Sequence, residues 1–160
     1  MQYTYDPQKA ARVWKRVQER SEAETREQTR PEGSVRNMIL EAMTAAAVYL
    51  QLAHRLSGPE SAVLQRLYRE EQNQAACLKG IHTLITGEAP AVSVAPVPQE
   101  NPELTLRRCY AREMQCLKNY EARIQDPDYG PVFHRMAVQE REHCKAVLEL
   151  LGNLKRKERK

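Results

Sequence analysis

The chain has 160 residues, of which 41% are hydrophobic, 29% charged and only 6% aromatic. Its core must therefore come from Leu, Ala, Val, Ile and Met, a mostly helix-favouring set, and no apolar run is long enough to span a bilayer. The formal charge is +4, and the last six residues, KRKERK, hold five bases and one acid. The rest of the chain is neutral, which argues against a broad basic face for nucleic acid.

Nine prolines divide the sequence into five long windows, each with helical rather than alternating periodicity. Residues 1–33 read as an N-terminal helix and linker. The helix starts at Asp6-Pro7, a capping acid followed by proline, and its stripe of Ala10, Val13, Trp14 and Val17 is expected to dock it on the rest of the protein. The text beyond Arg20 is almost wholly polar, a solvated helix end or loop.

A second helix is expected from about Ser34 to Leu56, with Met38, Ile39, Ala42, Ala45, Ala46, Tyr49, Ala53 and Leu56 on one face. Ser57-Gly58-Pro59 forces a tight return. The third helix runs to Thr86, with Leu64, Leu67, Glu71, Gln74, Ala75, Leu78, Ile81 and Ile85 inward, and Gly87 ends it. Residues 88–102 are rich in proline and small side chains and read as an extended crossover. Asn101-Pro102 opens the fourth helix, which is expected to reach Ile124 with Leu106, Cys109, Tyr110, Glu113, Cys116, Leu117 and Tyr120 inward. The fifth runs from Pro131 to about Leu154, with Phe133, Met136, Ala137, Glu140, His143, Cys144, Val147 and Leu150 inward. Residues 155–160 form a basic tail, read as a solvated helix end. The fold expected for residues 34–154 is an all-α, antiparallel four-helix bundle, two hairpins joined by one long crossover.

Three inward stripes carry a glutamate where an apolar residue belongs: Glu71, Glu113 and Glu140. His143 follows Glu140 by three residues and shares its side of the helix. Buried carboxylates are costly unless paired or bound to metal, and three of them with one imidazole form a metal-ligand inventory. The halves also overlay. Glu71-x-x-Gln74 matches Glu140-x-x-His143, and Glu113, seven residues before Tyr120, matches Ala42, seven before Tyr49. Glu41, beside Ala42, points about 100° away and reads as a flank residue. Tyr49 and Tyr120 are either hydroxyl neighbours of the carboxylates or core residues. His54, His82 and His134 fall off the seam.

The segments VYLQLA, EEQNQAACLKGIHTLITG, REMQCLKNY and EREHCKAVLELL resemble the rubrerythrin-like branch of the ferritin-like superfamily over about residues 34–154. The resemblance implies a Glu on one helix and Glu-x-x-His on the next, given twice, holding two iron or manganese ions. By position Glu71, Glu113, Glu140 and His143 match, while Ala42 and Gln74 replace a glutamate and a histidine of one ion. The implied cofactor is iron, manganese or zinc, at most one ion per chain. The implied activity is reduction of peroxide or dioxygen, or iron handling, weakened by the lost ligands. An electron donor would be a separate partner, because no C-x-x-C pair encodes a rubredoxin-like site. The alternative is a metal-free helical bundle serving binding or assembly, in which the glutamates are protonated or paired to His143.

The first seventeen residues lack an apolar leader core, and Cys77, Cys109, Cys116 and Cys144 lie in helical patterns. A reducing cytoplasmic setting with core thiols is therefore expected. Assembly into a homo-oligomer is compatible with the sequence; a membrane partner is not expected.

Overall fold

The structure is a computed structural model that describes residues 7–29 and 34–158, with the side chains of the first helix described at residues 8 and 11–22. The protein is all-helical: α1 (Pro7–Thr29), α2 (Val35–Arg55), α3 (Pro59–Thr86), α4 (Pro102–Glu121) and α5 (Gly130–Glu158), with no strand among the described residues. The capping acid Asp6 and the linker 30–33 lie outside the described residues.

Local chemistry sets the helix ends. The Ser34 side chain accepts from the Asn37 amide at 3.1 Å and caps α2. Gly58 has φ 68°, a left-handed value that frees the chain to reverse before Pro59 opens α3. Asn101 accepts from the Glu103 amide at 2.8 Å ahead of Pro102. Asp126 Oδ1 accepts from the amides of Asp128 and Tyr129 at 3.0 and 2.9 Å, and so shapes the turn into α5.

The short link at residues 56–58 pairs α2 with α3, and the turn at 122–129 pairs α4 with α5. The two hairpins face each other through α2 with α4 and α3 with α5. Two apolar clusters fill the space between them. One holds Val35, Ile39, Leu78, Ile85, Tyr120 and Phe133; the other holds Tyr49, Leu52, Leu64, Leu67, Leu106 and Leu150.

Residues 88–101 are non-helical and run along α2. Arg36 Nη2 donates to the Ala91 carbonyl at 3.0 Å, and Gln51 Nε2 donates to the Val97 carbonyl at 3.2 Å. Those two anchors on α2 are about 22 Å apart at the helical rise. Six extended residues cover about 20 Å, so the strap is close to fully drawn out, and Val92 and Val97 each pack on one apolar cluster.

Four sequence expectations need correction. Trp14 does not anchor α1: it is 68% exposed, with Val13 at 55% and Val17 at 51%. The apolar faces of α2 to α5 are already spent on each other, so the bundle offers no seat for it. α1 meets the end of α3 through Arg20, whose Nε donates to the Ile85 carbonyl at 3.1 Å, one of the acceptors a helix end leaves unpaired. Secondly, α4 stops at Glu121 and Ile124 lies exposed in the following turn. Thirdly, Cys77 is exposed, while Cys109, Cys116 and Cys144 are buried free thiols. Lastly, α5 continues as helix through the tail to Glu158, and Lys157 Nζ lies 3.0 Å from the largely buried Glu60. The α1 helix also runs through the polar stretch beyond Arg20 to Thr29.

Gly130 is where the turn and α5 touch most closely. A Cβ there would come within 2.5 Å of the Ile124 carbonyl oxygen, which belongs to the backbone and has little room to yield. Gly130→Ala is expected to destabilise the protein by about 1–3 kcal/mol; chemical denaturation of the variant measures it, and an unchanged midpoint would contradict the packing.

Candidate metal centre

Between the two apolar clusters lies a polar layer. Glu71 and Gln74 come from α3, Glu113 from α4, and Glu140 and His143 from α5, all five essentially buried. The helical repeat places them there: each sits in the apolar phase of its helix, so docking that face inward takes the polar group with it.

Glu71, Glu113, Glu140 and His143 converge. One ligand atom from each lies within 4.8 Å of every other. His143 Nδ1 is 2.9 Å from Glu71 Oε1, 3.5 Å from Glu113 Oε2 and 3.9 Å from Glu140 Oε1. Opposed ligands of one ion stand up to ~4.4 Å apart, so a slight contraction brings the four onto a common ion. This buried group can hold a metal ion.

Residues around the four fix their aim. Tyr49 donates a short hydrogen bond to Glu113 Oε1. Gln74 Nε2 donates to Glu140 Oε1 at 2.7 Å and to Gln139 Oε1 at 3.2 Å, so the Gln74 amide serves as a donor here. Tyr120 packs its ring on Phe133, centroids 6.4 Å apart, in the apolar cluster beside the layer. Ala42 is buried and offers no ligand. Glu41 is held 3.1 Å from Arg112 Nε, away from the cluster, in keeping with a flank position. His54, His82 and His134 do not join the group.

Sequence reasoning missed Glu70. Its Oε2 lies 2.9 Å from His143 Nε2, and its Oε1 pairs with Arg66 at 3.2 Å. A carboxylate on Nε2 holds the proton on that nitrogen, so Nδ1 is the atom that can serve as a ligand beside the three glutamates once its own proton has left. The hairpin repeat contained the signal. Glu70 precedes Glu71 as Gln139 precedes Glu140, and the bond from His143 to Glu70 has its counterpart in the bond from Gln74 to Gln139. The imidazole has a carboxylate behind it, and the amide at the matching position has an amide.

The electrostatics describe a site that wants positive charge. Burial pushes Glu71 up to about 7 against the opposing hydrogen bond to His143. Burial raises Glu140 as well, and its hydrogen bond to Glu113 adds to that, so Glu140 carries the proton of the pair. Burial acts upward on Glu113 too, but its hydrogen bonds with His143, Glu140 and Tyr49 hold it below the ordinary carboxylate value. Burial would lower His143, yet Glu113 and Glu71 lift it to about 10. Without metal the layer is thus an imidazolium among carboxylates, plus one protonated carboxyl. Glu140 Oε2 and Gln74 Oε1 are buried without a hydrogen-bond donor. Two facing acceptors, Glu113 and Glu140, need either a proton or a cation between them. Three hard oxygen donors and one imidazole, with no thiolate in the group, could hold a metal ion.

Compared with known proteins, the chain matches no family model, no curated protein and no solved structure.

Two predictions follow from this geometry. A raised folded-state pKa confers stability that is complete below the unfolded value and lost as pH climbs through the folded one. The metal-free protein should therefore lose the Glu71 contribution between pH 4.5 and about 7, and the raised Glu140 acts in the same direction. Metal binding must expel protons from this layer, so stabilisation by Mn²⁺ or Zn²⁺ should grow over the same window. Melting temperatures across that range, with and without metal, read both; a metal-induced shift that does not change with pH would contradict the protonation pattern. Glu70→Ala should weaken metal binding about 10–100-fold, with Glu70→Gln, which keeps an acceptor, losing less. Isothermal titration measures the ratio; equal losses would show that the His143 contact does not orient the ring.

Proposed function

We propose that the chain is a metal-binding protein on the ferritin-like plan, of the rubrerythrin-like kind, that holds one divalent ion in the Glu71, Glu113, Glu140 and His143 cluster. The observation that carries this reading is the convergence of three buried carboxylates with the Nδ1 face of one buried imidazole. The single long strap along α2 and the two facing hairpins support the ferritin-like architecture. The paired repeat supports it further, because it extends from the ligands to the residues behind them.

The donor set favours iron or manganese over softer ions. Bound there, such an ion supplies redox chemistry towards dioxygen or peroxide, or simple iron storage and transfer. The chain's residues do the holding. Glu71, Glu113 and Glu140 bring the negative charge, and His143 completes the set with a neutral nitrogen once its proton has left. Tyr49 pins Glu113, and Glu70 pins His143. Buried free thiols at Cys109, Cys116 and Cys144 fit a reducing compartment.

The second ion position has lost its support in a consistent way. Ala42 stands for its glutamate, Gln74 for its histidine and Gln139 for the carboxylate behind that histidine. Tyr49 on α2 reaches Glu113 on α4, and by the same repeat Tyr120 on α4 would reach residue 42 on α2, where Ala42 has no acceptor. With one ion, two-electron turnover of peroxide should be weak or absent.

Elemental analysis of the protein purified without added metal is expected to find at most one tightly bound ion per chain. The triple variant Ala42→Glu, Gln74→His and Gln139→Glu should move the stoichiometry towards two. Two ions in the unaltered chain would refute the one-ion reading. No binding of iron, manganese or zinc at all would leave the metal-free bundle, serving binding or assembly, as the function.

A further inference from the structure

The first helix carries an apolar stripe that stays more than half exposed, although Arg20, seven residues on from Val13 and on its side of the helix, meets the end of α3. Val13, Trp14 and Val17 are each more than half exposed. On a helix they fall within an arc of about 100°, so they form one apolar stripe. Arg12 and Arg16 border one edge of it and Lys15 lies beyond the other, all three exposed. Lys15 faces Glu19 across a loose 3.8 Å. The sequence from Pro7 to Gln18 contains four bases and no acid, whereas the chain outside α1 and the tail is close to neutral. An apolar stripe crowned by tryptophan and shouldered by bases is the composition of a helix that lies on an anionic lipid surface.

Other occupants fit less well. A nucleic acid would meet the bases but leave the valines and the indole face in water. A second copy would bring Arg12 and Arg16 against their own equivalents, whether the helices paired parallel or crossed at Trp14, so like charges would meet. A specific protein interface needs about 800 Å² from each side, more than three side chains on two turns of helix supply. Partition into a headgroup layer has no such threshold: indole favours that depth, and each base near the surface adds to the attraction. Among the described residues no helix is long and apolar enough to cross a membrane, but a helix lying on a surface does not need to be.

We infer that α1 docks the protein on anionic phospholipid surfaces, with Val13, Trp14 and Val17 entering the headgroup layer and Arg12, Lys15 and Arg16 meeting lipid phosphates. Its single tryptophan makes the chain its own reporter. The full-length protein is mixed with vesicles of phosphatidylcholine alone and with vesicles of equal parts phosphatidylglycerol and phosphatidylcholine. Trp14 emission should shift to the blue and lose access to a soluble quencher with the anionic vesicles only, and added salt should reverse both changes. Arg12→Gln with Arg16→Gln should lower vesicle partition roughly 20–30-fold. These exposed positions lie outside the bundle, and an unchanged helical circular dichroism spectrum certifies that the variant is folded. No spectral shift with anionic vesicles, or equal binding to both kinds, would overturn the inference. So would a blue shift that grows with protein concentration in the absence of lipid, which would assign the stripe to a second copy.

Discussion

A layer of three glutamates and one histidine, sealed between two apolar clusters, is the constraint around which this molecule is built. Each carboxylate taken out of water carries a desolvation penalty that ordinary core packing does not return. His143 offsets part of it by standing against Glu71 and near Glu113. A proton on Glu140 offsets more. Tyr49 and Gln74 supply hydrogen bonds to the oxygens that remain. Even so, Glu140 Oε2 stays buried without a partner, and the four side chains could hold a metal ion.

The neighbouring parts of the fold serve that layer by keeping water out and the helices in register. Apolar clusters close it above and below. The strap along α2 is anchored near both ends of that helix, so it fixes which end of the second hairpin faces the first. That choice sets Glu113 opposite Tyr49 and Glu140 opposite Gln74. If the second hairpin entered the other way round, the apolar faces could still pack, but the polar groups would no longer lie at one height.

The two halves of the layer differ in a correlated way: His143 stands against Glu70, and Gln74 against Gln139. Gln139 is only partly buried and faces Gln74 as Glu70 faces His143. Gln74 Nε2 donates to Gln139 Oε1 at 3.2 Å with no net charge in the pair, while Gln74 Oε1 stays buried without a partner. The half that keeps His143 keeps Glu70, which is only partly exposed and pairs outward with Arg66. The four residues that could hold a metal ion include His143, and the Gln74 side is polar packing without charge.

The sequence by itself determined the five helices, the strap and the four converging residues, because each depends on local chemistry or on helical phase. Proline, glycine and capping side chains mark the ends, and a residue in the apolar phase of a docked helix goes inward whatever its polarity. Glu71, Glu113, Glu140 and His143 were legible for that reason, as were the inert positions of Ala42 and Glu41. The end of α4 was not, since the phase of Ile124 continued the stripe and only the turn held by Asp126 interrupts it. Cys77 has a helical position that phase alone did not place outside. The role of Glu70 depended on a partner 73 residues away, which helical phase on its own helix does not reveal. The fate of Trp14 was decided by tertiary structure alone. An apolar stripe states that a side chain prefers to leave water, but whether a seat exists depends on how the other four helices have used their faces, and here they have used them on each other.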